Sequence, residues 1–179
     1  IISNEQIFLE IGAGNKKGSD GWTTLDLSKG SDLCWDLRNG IPFPDESIDT
    51  IYTSHTFEHI PFNSLKKLIK DCHRSLKIGG YLSVCVPSVK FYIEAYMSGE
   101  RLRAEGEGWK PALCETGSLI DQLNYNVYMD GQHKYLFDEE NLVKILQICG
   151  FQKVSIRNFD PQIDLQERDF ESKYAIALK

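Results

Sequence analysis

The sequence predicts a doubly wound α/β domain on a mostly parallel sheet. Three observations carry this. Short β-rich runs alternate with helix-patterned segments, and the runs are bounded by Gly, Pro, Asp or Asn. The first run, residues 7–11, is apolar on both faces except for Glu10, as a strand covered on both sides would be. The connections from the first run to the second, and from the second to the third, are too short for the usual helices, so the sheet is trimmed there.

In order, the predicted strands are residues 7–11, 22–27, 48–53, 81–86, 151–156 and 174–178. Two helices are well signalled. After Pro61, Asn63 can cap a segment whose Leu65, Leu68, Ile69, Cys72 and Leu76 share a face; Lys66, Lys67, Lys70, Asp71, His73 and Arg74 turn outward, and Gly79-Gly80 ends it. Asp138 caps the second, with Glu139 and Glu140 in its positive first turn, Leu142, Ile145, Leu146 and Cys149 on one face, and Gly150 as the stop. In the late strands, Leu82, Val84, Val86, Val154, Ile156, Tyr174, Ile176 and Leu178 mark an apolar face; the other is small or polar. That poorer face is expected to be covered by the middle segment, residues 88–137, or by a second subunit of a homodimer.

Composition bounds the function. The 179 residues, 41% hydrophobic and 26% charged, suit a single domain over residues 1–179. A net charge of -6 with scattered basic residues argues against a nucleic acid partner. No apolar run approaches the roughly 18 residues that span a bilayer, and the N-terminus carries no export pattern, so no membrane insertion and a cytoplasmic location are expected. Five cysteines (Cys34, Cys72, Cys85, Cys114 and Cys149) with no C-x-x-C pair fit reduced thiols better than disulfides or a zinc site, and no metal is expected.

The stretch "FLEIGAGNKKGSDGWTTLDLS" holds a Gly12-x-Gly14 turn between two strands, with carboxylates at Glu10 and Asp26. A dinucleotide fingerprint would continue G-x-G-x-x-G into a helix. Here Gly18 and Gly21 leave no room for one, so a pyrophosphate at a helix N-terminus is poorly supported. A nucleoside without phosphates fits better: the tight turn lets a ligand lie against the backbone, and an acid closing the second strand suits paired ribose hydroxyls.

With "CWDLRNGIPFPDESID", "TIYTSHTFEHI" and "LKIGGYLSVCVP" following in order, and "HKYLFDEENLVKILQICGF" near the end, the sequence resembles the class I S-adenosylmethionine-dependent methyltransferases, in a small type with a Rossmann-like sheet. The resemblance implies S-adenosylmethionine as cofactor. It implies that Glu10, Gly12, Ala13 and Gly14 lie along the methionine part, that Asp26, followed by Leu27, takes the ribose hydroxyls, and that Asp36 and Leu37 read the adenine. The segment from Ser54 and His55 to His59 would border the sulfonium.

The expected activity is methyl transfer to a hydroxyl, or an amine, of a small or saccharide acceptor. The alternatives are a non-catalytic module that binds the cofactor and a nicotinamide oxidoreductase, which the missing third glycine disfavours. Residues 88–137 are expected to supply the acceptor side as a loop-rich insert, its charged stretch 101–107 exposed. Its aromatics, Tyr92, Tyr96, Trp109, Tyr125, Tyr128 and Tyr135, are expected mostly in a satellite core. For the base that takes the acceptor's proton, His133 before the last helix and His55 after the strand at 48–53 are the candidates. His59 is read as a structural histidine.

Overall fold

The computed structural model describes residues 6–102 and 116–179. They form one seven-stranded sheet: β1 (Phe8–Ile11), β2 (Trp22–Asp26), β3 (Leu33–Cys34), β4 (Ile48–Ser54), β5 (Leu76–Pro87), β6 (Lys153–Arg157) and β7 (Ser172–Leu178). Their spatial order is β3-β2-β1-β4-β5-β7-β6. The pairs β1–β2, β2–β3, β1–β4 and β4–β5 are parallel, whereas β7 lies antiparallel between β5 and β6. The order reverses between β1 and β4, the place where open α/β sheets hold ligands beyond their carboxyl ends. The fold class is as expected, with the two-residue β3 added. Cys72, Cys85 and Cys149 are buried free thiols, Cys34 is an exposed one, and Cys114 and Trp109 lie outside the described residues.

One face of the sheet builds the core. The register sets Leu9 beside Ile51, Ile51 beside Leu82 and Leu82 beside Ala177. Helices α1 (Phe62–Ser75) and α4 (Glu139–Ile148) cover it with Leu65, Leu68, Ile69, Leu142, Ile145 and Leu146. Each such aliphatic side chain contributes about 1.5–3 kcal/mol when fully buried. In β7 the sequence reading assigned the faces the wrong way round. Ala175 and Ala177, fully buried, face this core beside Val84 and Leu82, because small residues let α4 pack closely over β7.

Among the described residues, the centre of the opposite face is covered by the connection from β6 to β7 rather than by the middle segment. Buried Asp164 on that connection accepts from the Tyr52 hydroxyl (3.0 Å) and from both terminal nitrogens of Arg157 (2.6 and 2.8 Å). Arg157 Nε reaches Ser83 Oγ at 3.1 Å and its guanidinium lies over the Tyr174 ring, so the polar side of the sheet is satisfied by its own chain. Further out, half-buried Phe8 and Trp22 pack ring against ring beside Tyr52.

Helix α4 starts as expected, with the Asp138 carboxylate accepting from Asn141 N at 2.7 Å. Helix α1 does not. Pro61, not Asn63, stands at its N-terminus, and the chain passes from Ser75 directly into β5, so Gly79-Gly80 lies within the strand; Gly80 approaches the β4 backbone where a Cβ would come within 2.8 Å of the Asp49 carbonyl.

Nor are Asp71, Arg74 and His73 a free solvated face. Asp71 accepts from Ile41 N, while Arg74 binds Asp71, Asp45 (2.6 Å) and the carbonyls of Ile41 and Phe43. With no α-helix between β3 and β4, this clamp fixes the connecting loop. His73 is half-buried against the edge of Phe151.

The middle segment is helical where the sequence suggested loops: α2 (Val89–Ser98) and α3 (Ile120–Tyr128). Tyr92 and Ala95 of α2 and Leu123 of α3 form a small second core with Leu102, which follows α2. Of the described aromatics expected there, only Tyr92 joins it. Tyr135 packs on the main core, Tyr96 and Tyr128 are exposed, and Tyr125 turns toward the site described next. Arg101 is exposed, and the rest of the 101–107 stretch, Leu102 aside, lies outside the described residues.

Candidate active site

A groove of about 460 Å³ opens past the carboxyl ends of β1, β2 and β4. Gly12 turns the chain at φ +71°, its amide donating to the Leu25 carbonyl (2.8 Å), and packs so tightly on Thr56 that a Cβ would lie 2.1 Å from Thr56 Oγ1. Gly14, at φ +65°, donates its amide to Asp26 Oδ2 (3.0 Å), and Ser28 donates to Oδ1 (2.8 Å). A carboxylate has about four acceptor positions. Two are thus used to aim the group, and two remain for a diol. Leu27 and Trp35, both exposed in the groove, supply flat apolar surface, and the Trp35 indole is fixed by a bond to the Gly40 carbonyl (2.9 Å).

Asp36 faces the groove from the turn after β3. Its side chain accepts from the Arg38 amide and pairs with the Arg38 guanidinium (2.6 Å), which holds the carboxyl below its ordinary range. Leu37 beside it is buried. The groove therefore brings together Gly12, Asp26, Leu27, Asp36, Leu37 and His55 of the expected cofactor residues. Ala13 lies in the turn with its amide 3.5 Å from the Leu25 carbonyl, and Ser54 contributes its carbonyl to Thr56 Oγ1 (3.1 Å). Glu10 is placed elsewhere: it pairs with Lys16 (2.8 Å) and lines a separate pocket with Trp22 and Tyr52.

Behind the groove lies a second, smaller chamber of about 80 Å³, and His55 and His59 line both. The chamber's other walls include Glu58, Tyr125, Asn126, His133, Arg168 and Glu171. His133 lines the chamber and not the groove. It is brought there because the amides of Lys134 and Tyr135 both donate to the Glu58 carbonyl, at 2.7 and 3.2 Å.

The hydrogen bonds fix the tautomer of His55. Ser172 Oγ donates its one proton to the Arg168 carbonyl (2.6 Å) and so must accept from His55 Nε2 (2.8 Å). Nδ1 then carries the lone pair, and it lies 3.7 Å from Glu58 Oε1. Burial, with the nearby charges of Arg168, His133 and His59, pushes the His55 imidazole down to about 3. Burial likewise pushes the Glu58 carboxyl up to about 8, and its Oε2 has no hydrogen-bond partner among the described residues. The two form a largely neutral pair. Glu171, which accepts a bond from Tyr92, is raised by burial to about 7.

Sequence reasoning quoted Thr56 and Glu58 only as parts of a segment and passed over Arg168 and Glu171. Glu58 had one signal: an acid among Phe57, Ile60 and the strand before them, where a solvated side chain has no place. Arg168 and Glu171 come from the connection before β7, and their approach depends on a topology that periodicity does not reveal.

The family model described as a methyltransferase domain matches residues 9–84, which spans β1 through most of β5. No curated protein sequence matches the chain significantly. Among solved structures, a SAM-dependent methyltransferase from Archaeoglobus fulgidus superposes with a TM-score of 0.58 at 18% identity, covering 98% of this chain and 87% of that one. A possible histamine N-methyltransferase from Thermotoga maritima gives 0.57 at 17%, covering 99% and 84%. Phosphoethanolamine N-methyltransferase 2 of Haemonchus contortus, solved with S-adenosyl-L-methionine, gives 0.54 at 16%, covering 97% of this chain but only 48% of that one. At such identities the likeness is one of fold. The matched segment, which covers less than half of the chain, holds the glycine turn and the acids of the groove, and in it the chain is similar to a methyltransferase domain.

Proposed function

We propose that this domain transfers a methyl group from S-adenosylmethionine to a hydroxyl, or an amine, of a small or sugar-like acceptor held in the inner chamber. The observation that carries the reading is the wall of His55 and His59 shared by groove and chamber. The groove's residues suit the cofactor: a backbone turn with no space for a side chain, a carboxylate with two free acceptor positions, and flat apolar surface. When bound, the cofactor supplies an electrophilic methyl on a sulfonium. The chain's own residues do the rest by orientation and proton acceptance. His55 Nδ1, neutral and with its lone pair free, accepts the acceptor's proton, and Glu58 Oε1 lies 3.7 Å from it. Of the two bases expected from sequence, His55 has the support of lining both spaces; His133, its Nδ1 bound to the Asn126 carbonyl, belongs to the chamber alone. Residues 88–137 form the acceptor side, a role supported by Tyr125, Asn126, Met129 and His133 in the chamber wall.

Calorimetry with S-adenosylmethionine, S-adenosylhomocysteine and NAD in parallel tests the cofactor. Labelled methyl transfer to a panel of small hydroxyl and amine compounds tests the reaction. Binding of NAD alone would end the reading. With an accepted compound in hand, His55→Asn is expected to lower turnover by roughly two to four orders of magnitude while cofactor affinity stays within a few-fold.

A further inference from the structure

Glu58, His59 and His133 come together at the chamber although 73 residues or more separate His133 from the other two. One ligand atom from each lies within 4.8 Å of the others, and His59 Nε2 is 3.8 Å from Glu58 Oε1. Two further observations go beyond proximity. The first concerns the histidines. His59 Nδ1 bonds the Gln132 carbonyl at 3.3 Å, and His133 Nδ1 bonds the Asn126 carbonyl. A carbonyl only accepts, so in both rings Nδ1 carries the hydrogen and Nε2 the lone pair. This backbone orientation of imidazoles is what metal-ligating histidines ordinarily have. The second concerns Glu58, which is 1% exposed and whose Oε2 is buried with no hydrogen-bond partner among the described residues. A buried carboxylate oxygen left so is costly unless something positive meets it.

We propose that Glu58, His59 and His133 form a binding site for one divalent transition-metal ion of the zinc or manganese kind. Two imidazoles and one carboxylate suit such ions better than magnesium or calcium, which prefer all-oxygen shells. Tetrahedral bonds of about 2.0–2.1 Å put ligand atoms about 3.3 Å apart. The observed set, with ligand atoms within 4.8 Å of one another, must close by up to about 1.5 Å, and half-buried His59 and His133 have the freedom to do so. Arg168 in the same chamber is offset in formal charge by Glu171. Three protein ligands leave an open position toward the chamber, where an acceptor oxygen could join the ion; that consequence rests on the function proposed above, whereas metal binding itself does not. The absence of paired cysteines led the sequence to suggest no metal, but this site uses none.

The test uses the full chain after treatment with a chelator and dialysis. Zn²⁺, Mn²⁺ and Mg²⁺ are titrated by calorimetry, and Co²⁺ is added as a spectroscopic probe. One equivalent of Zn²⁺ or Mn²⁺ should bind at least tenfold tighter than Mg²⁺, with visible Co²⁺ bands of low coordination number. Glu58→Gln and His133→Ala should each weaken binding at least tenfold and abolish the bands. His59→Asn, at the most exposed ligand, gives the same answer without risk to the fold, and His73→Ala should change nothing. No binding at millimolar ion, or equal binding in all variants, overturns the site. S-adenosylmethionine titrated into the same metal-free sample reports separately on the proposed function. Metal binding without cofactor binding would therefore sink the function and keep the site, and the reverse outcome would do the opposite.

Discussion

Replacing Gly12 with alanine tests the turn on which the cofactor groove depends. Two separate penalties arise. Gly12 sits at φ +71°, and holding a residue with a Cβ in that region costs about 1–2 kcal/mol. The new Cβ would also lie 2.1 Å from Thr56 Oγ1 and 2.3 Å from Thr56 Cγ2, so Thr56 or the turn must shift, at about 1–2 kcal/mol more. The sum, roughly 2–4 kcal/mol, corresponds to a fall of roughly 4–16 °C in Tm for a domain of this size, at about 2–4 °C per kcal/mol. Differential scanning calorimetry measures this directly, and titration with S-adenosylmethionine should show affinity falling with it. Adding Thr56→Gly removes the clashing atoms but leaves the φ penalty, so the double variant should recover about half of the loss. If Gly12→Ala melts within a degree of the parent and binds the cofactor equally well, the close packing of turn on Thr56 is not what shapes the groove.

Asp26→Ala should cost about 1.5–3 kcal/mol of cofactor affinity, or roughly 10- to 150-fold in Kd by calorimetry. It should also lower Tm by a few degrees, since Asp26 holds Gly14 and Ser28, a structural role the sequence did not suggest. Arg74→Ala removes four interactions that fix the loop before β4, and hydrogen exchange at Ile41 and Phe43 should speed up by at least tenfold while the strands stay protected. Burial alone would raise the Asp71 carboxyl, but its bonds to Arg74 and Ile41 N outweigh this and lower it below 3.8. The folded value is thus below the unfolded one, so its stabilisation is complete above about pH 4 and is lost as the pH falls further. Asp71→Asn should flatten that acid limb in denaturation followed by circular dichroism, and an unchanged acid midpoint would contradict the clamp.

What the sequence revealed and what it hid divide along physical lines. The Gly12 turn, the acid at Asp26 and the Asp138 cap were legible because each is decided within a few residues of chain. The clamp of Asp71 and Arg74 was not, because a charged helix face reads as solvated unless the loop that lands on it is known. Helix α3 was hidden because it buries polar residues, Asp121, Gln122 and Asn126, where amphipathic patterning expects apolar ones. Tyr174 looked like core because it is large and apolar in bulk. Only the antiparallel register of β7 shows that the alanines beside it face α4. In the site, the groove was readable from contiguous motifs, whereas the chamber joins β4, α3 and the β6–β7 connection, so Glu58, Arg168 and Glu171 acquire meaning only through topology.

The position of β7 has a consequence for the order in which this protein becomes competent. In the sequence it follows every other strand, yet in space it fills the gap between β5 and β6. During synthesis, β5 and β6 each keep an open hydrogen-bonding edge until Ser172–Leu178 leaves the ribosome, and such edges invite pairing with other chains. The same strand delivers Ser172, whose hydroxyl sets the tautomer of His55 across 117 positions of sequence. A nascent chain that has made its cofactor turn, its Asp26 and its His55 therefore still lacks the contact that aims the imidazole. Under the proposed function, a chain that has not yet added β7 holds its base without the bond that orients it.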